Sequence, residues 1–241
     1  MEIKFIGTSN AFASGGLCWN GFVVDDRILF ETPPQVLMSL HHVGLDPNKV
    51  ETIVLSHHHG DHFLGLPFLL LHWKYRERKK PIRIVGPVET ERLAKEICTT
   101  VYPGLFEDCD FEIIWQEIRP GEMFTADDLV LEAVGVKHDA RLSQNLGFHC
   151  SIGNERFGYT GDSALCDGVL DLARANSLLI SECSSRAENI PTHMNLIDDM
   201  PKLREVMERT DNLILTHINS DVSPNNLPNT IVARDYATYR Y

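Results

Sequence analysis

The sequence predicts an α/β (α+β) fold in which helices pack on a mixed sheet, within one domain of residues 1–241. Short β-branched segments alternate with amphipathic segments along most of the chain, which is typical of such folds. Hydrophobic residues make up 43% and charged residues 23% of the sequence, as in ordinary globular proteins. No Pro/Gly/Ser-rich linker, low-complexity tract or internal repeat divides the sequence. We therefore expect one core rather than two domains.

The N-terminal half is predicted to alternate strands with helices. The predicted strands are residues 2–7, 21–25, 27–31, 51–55 and 81–85. A helix is expected to begin at Pro33 or Pro34 and to end near Val43, because proline fixes φ at a value that suits a first helical turn. A second helix is expected from about Glu89 to Val101.

The C-terminal half repeats this pattern with more strands. The predicted strands are residues 111–118, 129–136, 146–152, 156–159, 177–181 and 213–216, of which the first four are expected to be mostly antiparallel. A helix is predicted from Asn195 to about Glu208, because Leu196, Met200, Leu203 and Met207 recur on one helical face. Asn195 is expected to cap this helix, and Asp198 and Asp199 are expected in its first turn, where the helix dipole favours acidic side chains.

Charge and composition narrow the choice of partners and location. The formal net charge of −12 makes long nucleic acid a weak candidate partner, whereas a small anionic substrate remains compatible. The cationic run of residues 74–80 is interpreted as a solvated helix end or loop, with a contact to a small anionic ligand or RNA as the alternative. The apolar stretch of residues 63–71 is too short to cross a membrane, which needs about 20 residues. No signal peptide is visible, so we expect a cytoplasmic protein with reduced, singly placed cysteines.

The feature richest in chemistry is the run Ser56-His57-His58-His59-Gly60-Asp61-His62. Histidine supplies a neutral nitrogen ligand, and aspartate supplies an anionic oxygen that can bridge two cations. Imidazoles so close together would repel one another when protonated, and they need hydrogen-bond partners when buried. A metal satisfies all of them. Further ligands are expected from three strand ends, namely His138, Asp162 and His217.

The run His57-x-His59-x-Asp61-His62, followed in order by His138, Asp162 and His217, resembles the metallo-β-lactamase superfamily. The opening Ile3-Lys4-Phe5-Ile6-Gly7-Thr8 is also similar to its members, particularly those of the ribonuclease Z and phosphodiesterase branch. The resemblance implies a four-layer αββα sandwich. It also implies a hydrolase with two divalent metal ions, for which zinc is expected and manganese or iron would also fit.

The resemblance assigns a role to each of these residues. It implies that His57, His59 and His138 bind one metal ion. It implies that Asp61, His62 and His217 bind the other, that Asp162 bridges the two, and that a water between them attacks the substrate. Asp61 is therefore counted among the catalytic residues. Glu182 and His193 match a pair that lies near the leaving group in ribonuclease Z-like enzymes, where an acid speeds phosphodiester cleavage.

Two departures from the superfamily pattern bear on the substrate. An aspartate that supports the metal site in many members has no direct counterpart, and Glu31 is the candidate substitute. The long arm with which ribonuclease Z enzymes grip tRNA is also missing, because the short segment between His138 and Asp162 reads as two strands and a turn. This segment and the net charge of −12 argue against tRNA processing as the main activity.

Three functions remain open on the sequence. The first is a phosphodiesterase for a small or short substrate, and the second is a thioester, lactone or carboxyl ester hydrolase. The third is a metal-binding protein without hydrolysis, such as a regulator. A redox role is not expected, because such relatives usually have glutamate where this chain has His59. The stretch of residues 223–228 is interpreted as a dimer arm or a pocket wall, so a homodimer is a further expectation.

Overall fold

The computed structural model describes residues 1–76, 78–223 and 227–241. The chain divides into two compact units, each with a seven-stranded sheet. The first unit comprises Met1–Gly7, Cys18–Glu117 and Arg234–Tyr241, and the second comprises Thr8–Leu17 and Ile118–Ala233. The expectation of a single domain stays a prediction. The stretch of residues 223–228 lies partly outside the described residues, so its interpretation also stays a prediction.

The sheet of the first unit follows the order β14-β1-β2-β3-β4-β5-β6. Its strands are β1 (Glu2–Gly7), β2 (Gly21–Val24), β3 (Ile28–Phe30), β4 (Thr52–Val54), β5 (Ile82–Gly86), β6 (Ile113–Glu117) and β14 (Thr238–Arg240). Pairing is antiparallel from β14 to β3 and parallel from β3 to β6. The helices of this unit are α1 (Val36–His42), α2 (Gly60–Phe63), α3 (Leu66–Tyr75) and α4 (Thr90–Val101).

Helix α3 is an element that the sequence pattern did not predict. Most of the apolar stretch of residues 63–71 lies in it, and Leu66, Leu69 and Leu70 are buried in the core of the first unit. Trp73 is fully buried and its indole N–H donates to the carbonyl of Pro47 at 3.1 Å. Because apolar residues occupy nearly every face of this helix, the helical periodicity that marks an amphipathic segment is weak.

The sheet of the second unit follows the order β13-β12-β11-β10-β9-β8-β7. Its strands are β7 (Met123–Ala126), β8 (Leu129–Gly135), β9 (Leu146–Ile152), β10 (Glu155–Tyr159), β11 (Leu178–Cys183), β12 (Asn212–Ile218) and β13 (Thr230–Val232). Strands β7 to β10 pair antiparallel, whereas β10 to β13 pair parallel. The helices are α5 (Asp167–Ala175) and α6 (Met200–Val206).

The predicted helix from Asn195 to Glu208 is wrong at its start, because α6 begins only at Met200. Pro201 lies in the first turn of α6, where the backbone N–H that proline lacks would have no partner within the helix. In a helix interior a proline would interrupt the backbone hydrogen bonds. Asn195 does cap, but it caps a turn, since its Oδ1 accepts from the backbone N–H of Asp198 at 2.7 Å. The predicted strand 111–118 also differs, because β6 pairs parallel with β5 rather than joining the antiparallel strands.

The described part of the chain has no helix with the length and apolar character that crossing a bilayer requires. All six cysteines are free thiols. The sequence predicted this state, because the cysteines are scattered singly and form no C-x-x-C pair.

Candidate metal centre and leaving-group pair

The histidine run follows β4 and leads into α2, and its side chains converge within the first unit. Nε2 of His57 lies 3.1 Å from Nδ1 of His59, and the His57 ring lies 4.3 Å from that of His62, centroid to centroid. Nε2 of His62 lies 3.4 Å from Oδ2 of Asp61. Both His57 and His62 are buried. The first unit therefore concentrates three imidazoles and one carboxylate in one small volume.

Neighbouring polar groups orient these imidazoles from behind. The Ser56 hydroxyl lies 2.9 Å from Nδ1 of His57. Oε2 of the fully buried Glu31 lies 3.6 Å from Nδ1 of His62, and its carboxylate also accepts from the backbone N–H of Ser56. Thr32 donates through its backbone N–H to the carbonyl of His62 at 2.7 Å. Outer partners of this kind fix ring orientation in metal-binding histidines.

His58 turns away from its two neighbours. Its Nε2 lies 2.8 Å from the Thr90 hydroxyl at the start of α4, and its ring packs edge-on against Phe63. Burial lowers the pKa of His58 to about 4, so the ring is neutral at physiological pH. His58 therefore connects the histidine run to α4. This agrees with the motif His57-x-His59-x-Asp61-His62, which leaves position 58 open to any residue.

A second group of polar side chains lies within the second unit. Nε2 of His217 lies 3.1 Å from Oδ2 of Asp162, and Nε2 of His138 lies 3.9 Å from the same oxygen. The ring of His193 lies 4.8 Å from that of His138 and stacks on that of His217 at 5.5 Å. His138, Asp162 and His217 are all buried. One carboxylate oxygen of Asp162 thus faces two histidines.

His217 reaches this group through an irregularity in the sheet. In the pairing of β11 with β12, Glu182 faces Thr216 and Cys183 faces Ile218, so His217 is the additional residue. Its φ is +50°, in the left-handed region that few residues other than glycine adopt. A bulge of this kind re-aims one side chain, and here it directs His217 toward Asp162.

The chemistry of the second group suits a divalent cation. Nδ1 of His138 lies 3.0 Å from the carbonyl of Thr192, which can only accept, so Nδ1 carries the proton. In the neutral ring Nε2 is then a bare lone pair that faces the carboxylate of Asp162. Two lone pairs repel, and a cation bound by both converts that repulsion into attraction. Nε2 of His217 lies 3.1 Å from the same carboxylate oxygen, so this group presents two nitrogens and one oxygen to one point.

The predicted pair of Glu182 and His193 is formed. Nδ1 of His193 lies 2.9 Å from Oε1 of Glu182. The carboxylate also accepts from the backbone N–H groups of Ser163 at 2.8 Å and Ser184 at 3.0 Å. Burial raises the pKa of Glu182, while the hydrogen bond from His193 opposes that rise. The carboxylate holds the imidazole with Nδ1 protonated, which leaves Nε2 for exchange of a proton with a substrate.

Ser184 is a residue of this region that the sequence did not suggest. Its hydroxyl lies 3.2 Å from Nδ1 of His217, and its N–H donates to Glu182, so it connects the metal-type group with the acid pair. A serine after a strand has no distinguishing pattern, which is why only the geometry finds it. His149 lies apart from this region in its contacts, because its ring binds Asp171 and Asn176.

Comparisons with known proteins show the same fold in solved structures and a similar sequence in curated relatives. The solved structure of human tRNase Z, short form, has a TM-score of 0.80 at 20% identity, covering 100% of this chain and 99% of that one. The metallo-β-lactamase fold protein YhfI from Bacillus subtilis has a TM-score of 0.79 at 20% identity, covering 99% and 98%. Ribonuclease Z of Methanothermobacter thermautotrophicus is 30% identical over 141 residues, covering 57% of this chain and 45% of that enzyme. The chain spans about half the length of the ribonuclease Z relatives that it matches.

The fold is the metallo-β-lactamase fold of these solved structures, and the sequence is similar to that of ribonuclease Z enzymes. The predicted resemblance and the predicted fold class are thereby confirmed. The model of the family described as "Anti-Pycsar protein Apyc1" matches residues 1–232, and the chain belongs to that family. The names of the relatives support the expected class of metal-dependent hydrolase.

Proposed function

We propose that this chain is a metal-dependent phosphodiesterase that cleaves a small or short phosphodiester. The observation that carries the proposal is the contact of 2.9 Å between Nδ1 of His193 and Oε1 of Glu182. This pair lies beside His217, since ligand atoms of Glu182, His193 and His217 are within 4.8 Å of one another. A positioned acid next to metal-type ligands suits a reaction whose leaving group is a poor one.

Seven residues are proposed as metal ligands. The first unit offers His57, His59, Asp61 and His62, and the second offers His138, Asp162 and His217. Divalent ions, when bound, supply Lewis acidity at the phosphoryl group and lower the pKa of a water molecule. Two ions are proposed, with zinc first and manganese or iron as alternatives, because His/Asp sites accept all three. The division of the seven ligands between the ions stays a prediction.

His193 is proposed to protonate the departing oxygen. Glu182 accepts a hydrogen bond from Nδ1–H of His193 and stabilises the imidazolium that forms when Nε2 carries a second proton. The two backbone N–H groups that bind the Glu182 carboxylate keep it from rotating away. In this role His193 releases its Nε2 proton as the bond to the leaving oxygen breaks, and it regains a proton from water.

RNA is a second candidate substrate, because the curated relatives are ribonuclease Z enzymes by name. These names weaken the expectation that long nucleic acid is a poor candidate partner. The segment between His138 and Asp162 forms β9, a turn and β10, as the sequence predicted, so no extended arm lies there to hold a tRNA body. The net charge of −12 points the same way. A short RNA therefore fits better than a folded one.

A substrate panel tests the proposal. Purified protein loaded with zinc or manganese should turn over at least one of cyclic nucleotides, bis(p-nitrophenyl) phosphate and short RNAs. The same protein should be slower on thioesters, lactones and carboxyl esters, which are the second candidate class. Turnover of those esters but of no phosphodiester would contradict the phosphodiesterase proposal and favour the second class, a thioester, lactone or carboxyl ester hydrolase. Bound metal without turnover of any ester would favour the non-catalytic alternative.

A further inference from the structure

The loop of residues 8–17 belongs to the second unit and binds the end of β12. The backbone N–H of Ile218 donates to the carbonyl of Thr8 at 2.8 Å, and that of Asn10 donates to the carbonyl of Ile218 at 3.0 Å. Ile218 is the last residue of β12 and directly follows His217. The loop is therefore attached to the residue beside a proposed metal ligand.

The Asn10 side chain attaches the same loop to the end of β11. Its Nδ2 donates to the carbonyl of Ser184 at 3.0 Å, and its Oδ1 accepts from the backbone N–H of Phe12 at 3.2 Å. Ser184 directly follows Cys183, the last residue of β11. Asn10 is 4% exposed, so bulk water cannot replace these bonds. One buried asparagine thus binds the carbonyls at the ends of two neighbouring strands.

The bulge at His217 explains why these carbonyls need a donor from outside the sheet. The parallel pairing of β11 with β12 ends at Cys183 and Ile218, immediately after the bulge. Buried carbonyls beyond a strand pairing must find another donor, because an unpaired one costs free energy. Asn10 supplies two donors, its backbone N–H and its side-chain amide. A substitution removes only the second of them.

Ser184 carries the effect of Asn10 to the site. The Ser184 hydroxyl lies 3.2 Å from Nδ1 of His217, and its backbone N–H donates to the Glu182 carboxylate at 3.0 Å. An imidazole that binds a metal ion through Nε2 keeps its proton on Nδ1, and the partner of that proton fixes the orientation of the ring. The Ser184 hydroxyl is this partner for His217, and Asn10 holds the Ser184 backbone.

We propose that Asn10 is a positioning residue for the metal centre, acting on His217 through Ser184. The inference rests on the proposed function, in particular on His217 as a metal ligand. It makes the loop of residues 8–17 a support of the site rather than a surface connection. Loss of the Asn10 amide should let the Ser184 backbone move, so that the hydroxyl no longer holds His217 in the orientation that a metal ion requires.

Metal affinity tests this role against a matched control. Asn10→Ala should weaken zinc binding about tenfold in competition with a chromogenic chelator, as expected when a metal-binding histidine loses its outer support. It should also alter the visible spectrum of the cobalt-substituted full chain. Asn176→Ala is the control, because Asn176 is also buried, at 5% exposure, and its Nδ2 also donates to a carbonyl, that of Leu172 at 2.8 Å. It should lower the midpoint of urea unfolding to a similar extent and leave zinc affinity within about twofold.

Two further variants isolate the bond to Ser184. Asn10→Asp keeps an oxygen for the N–H of Phe12 but loses the N–H that binds the Ser184 carbonyl, so it should weaken zinc binding at least as much as Asn10→Ala. The double variant Asn10→Ala/Ser184→Ala should bind zinc within about twofold of Ser184→Ala alone, because the hydroxyl through which Asn10 acts is already gone. Losses that multiply in the double variant would contradict a route through Ser184.

Hydrogen exchange separates this role from the proposed function. In the metal-free full chain, Asn10→Ala should speed exchange at the backbone N–H of Ser184, followed by mass spectrometry, whereas Asn176→Ala should not. If the original protein binds no zinc, the proposed metal centre fails, and exchange still decides whether Asn10 holds Ser184. If it binds zinc but cleaves no phosphodiester, the proposed function fails, and the zinc affinities still decide. Unchanged zinc affinity in Asn10→Ala, or equal losses in Asn10→Ala and Asn176→Ala, would overturn the positioning role.

Discussion

Nδ1 of His193 and Oε1 of Glu182 lie 2.9 Å apart, and the carboxylate is buried. Both residues belong to the second unit, as do Ser163 and Ser184, whose backbone N–H groups hold the same carboxylate. A carboxylate with three donors has no freedom to leave the imidazole. The pair is therefore pre-organised for proton transfer before any substrate binds.

Replacement of His193 by alanine should slow cleavage in a way that depends on the leaving group. A ribose alkoxide needs a proton as it departs, so turnover of a short RNA should fall about 10²- to 10⁴-fold. A p-nitrophenolate departs without one, so turnover of bis(p-nitrophenyl) phosphate should fall far less. Steady-state kinetics with both substrates measure the difference. Equal losses on the two substrates would argue for a binding role instead.

Replacement of Glu182 by glutamine should also slow cleavage of the short RNA more than that of bis(p-nitrophenyl) phosphate. The loss of rate should be smaller than for His193→Ala. The amide can still accept from Nδ1 of His193, but its charge no longer stabilises the imidazolium. The alkaline limb of the pH–rate profile should therefore shift to lower pH, because His193 must be protonated to act as the acid and its pKa falls without the neighbouring anion. An unchanged profile would remove Glu182 from the proton transfer.

The adjacent residues His58 and His59 should differ in their effect on metal content. His59→Ala removes a nitrogen that lies 3.1 Å from Nε2 of His57, so bound metal measured by plasma emission spectrometry should fall after gel filtration. His58→Gln is the matched control, because His58 contacts Thr90 instead. It should keep its metal and lose about 1 kcal/mol of stability from the altered hydrogen bond. Metal loss in His58→Gln would contradict the assignment.

Ser184→Ala should weaken metal binding although Ser184 is not proposed as a ligand. Loss of an outer partner of a metal-binding histidine typically costs about 10- to 100-fold in affinity. Competition with a chromogenic chelator measures it, and the visible spectrum of the cobalt-substituted protein reports His217 directly. Ser185→Ala is the control, since the Ser185 hydroxyl bonds the carbonyl of Glu188. Ser184→Thr should restore the affinity. Equal effects in Ser184→Ala and Ser185→Ala would point to general destabilisation.

The buried thiols should resist alkylation in the native protein. Burial raises the pKa of Cys98 to about 12, and it also raises the pKa values of Cys150 and Cys183 well above the usual range. Because iodoacetamide needs an accessible thiolate, at pH 8 it should label the half-buried Cys18, Cys109 and Cys166 before the three buried thiols. Mass spectrometry follows the labelling, and guanidinium chloride should make every site react. Fast native labelling of Cys98 would show that its helix opens readily.

Local sequence was sufficient for the features whose parts are close along the chain. The run from His57 to His62 predicted a metal-type group, and its side chains do converge, because few residues separate them. The strands β8, β9 and β11 followed from their apolar, β-branched patterns. The predicted start of helix α6 was wrong because the amphipathic pattern begins before Pro201. The spacing of apolar residues does not show that this proline has to lie in the first helical turn.

The sequence by itself determined the types and order of the proposed ligands and the resemblance to the superfamily, since these depend only on residue identity and spacing. Tertiary structure decided how they are held. The bulge at His217, the contact of Ser184 with its ring and the link of Asn10 to Phe12 join residues far apart in the chain. No local pattern encodes such contacts, because they arise only when the strands pair and the loop of residues 8–17 binds the end of β12.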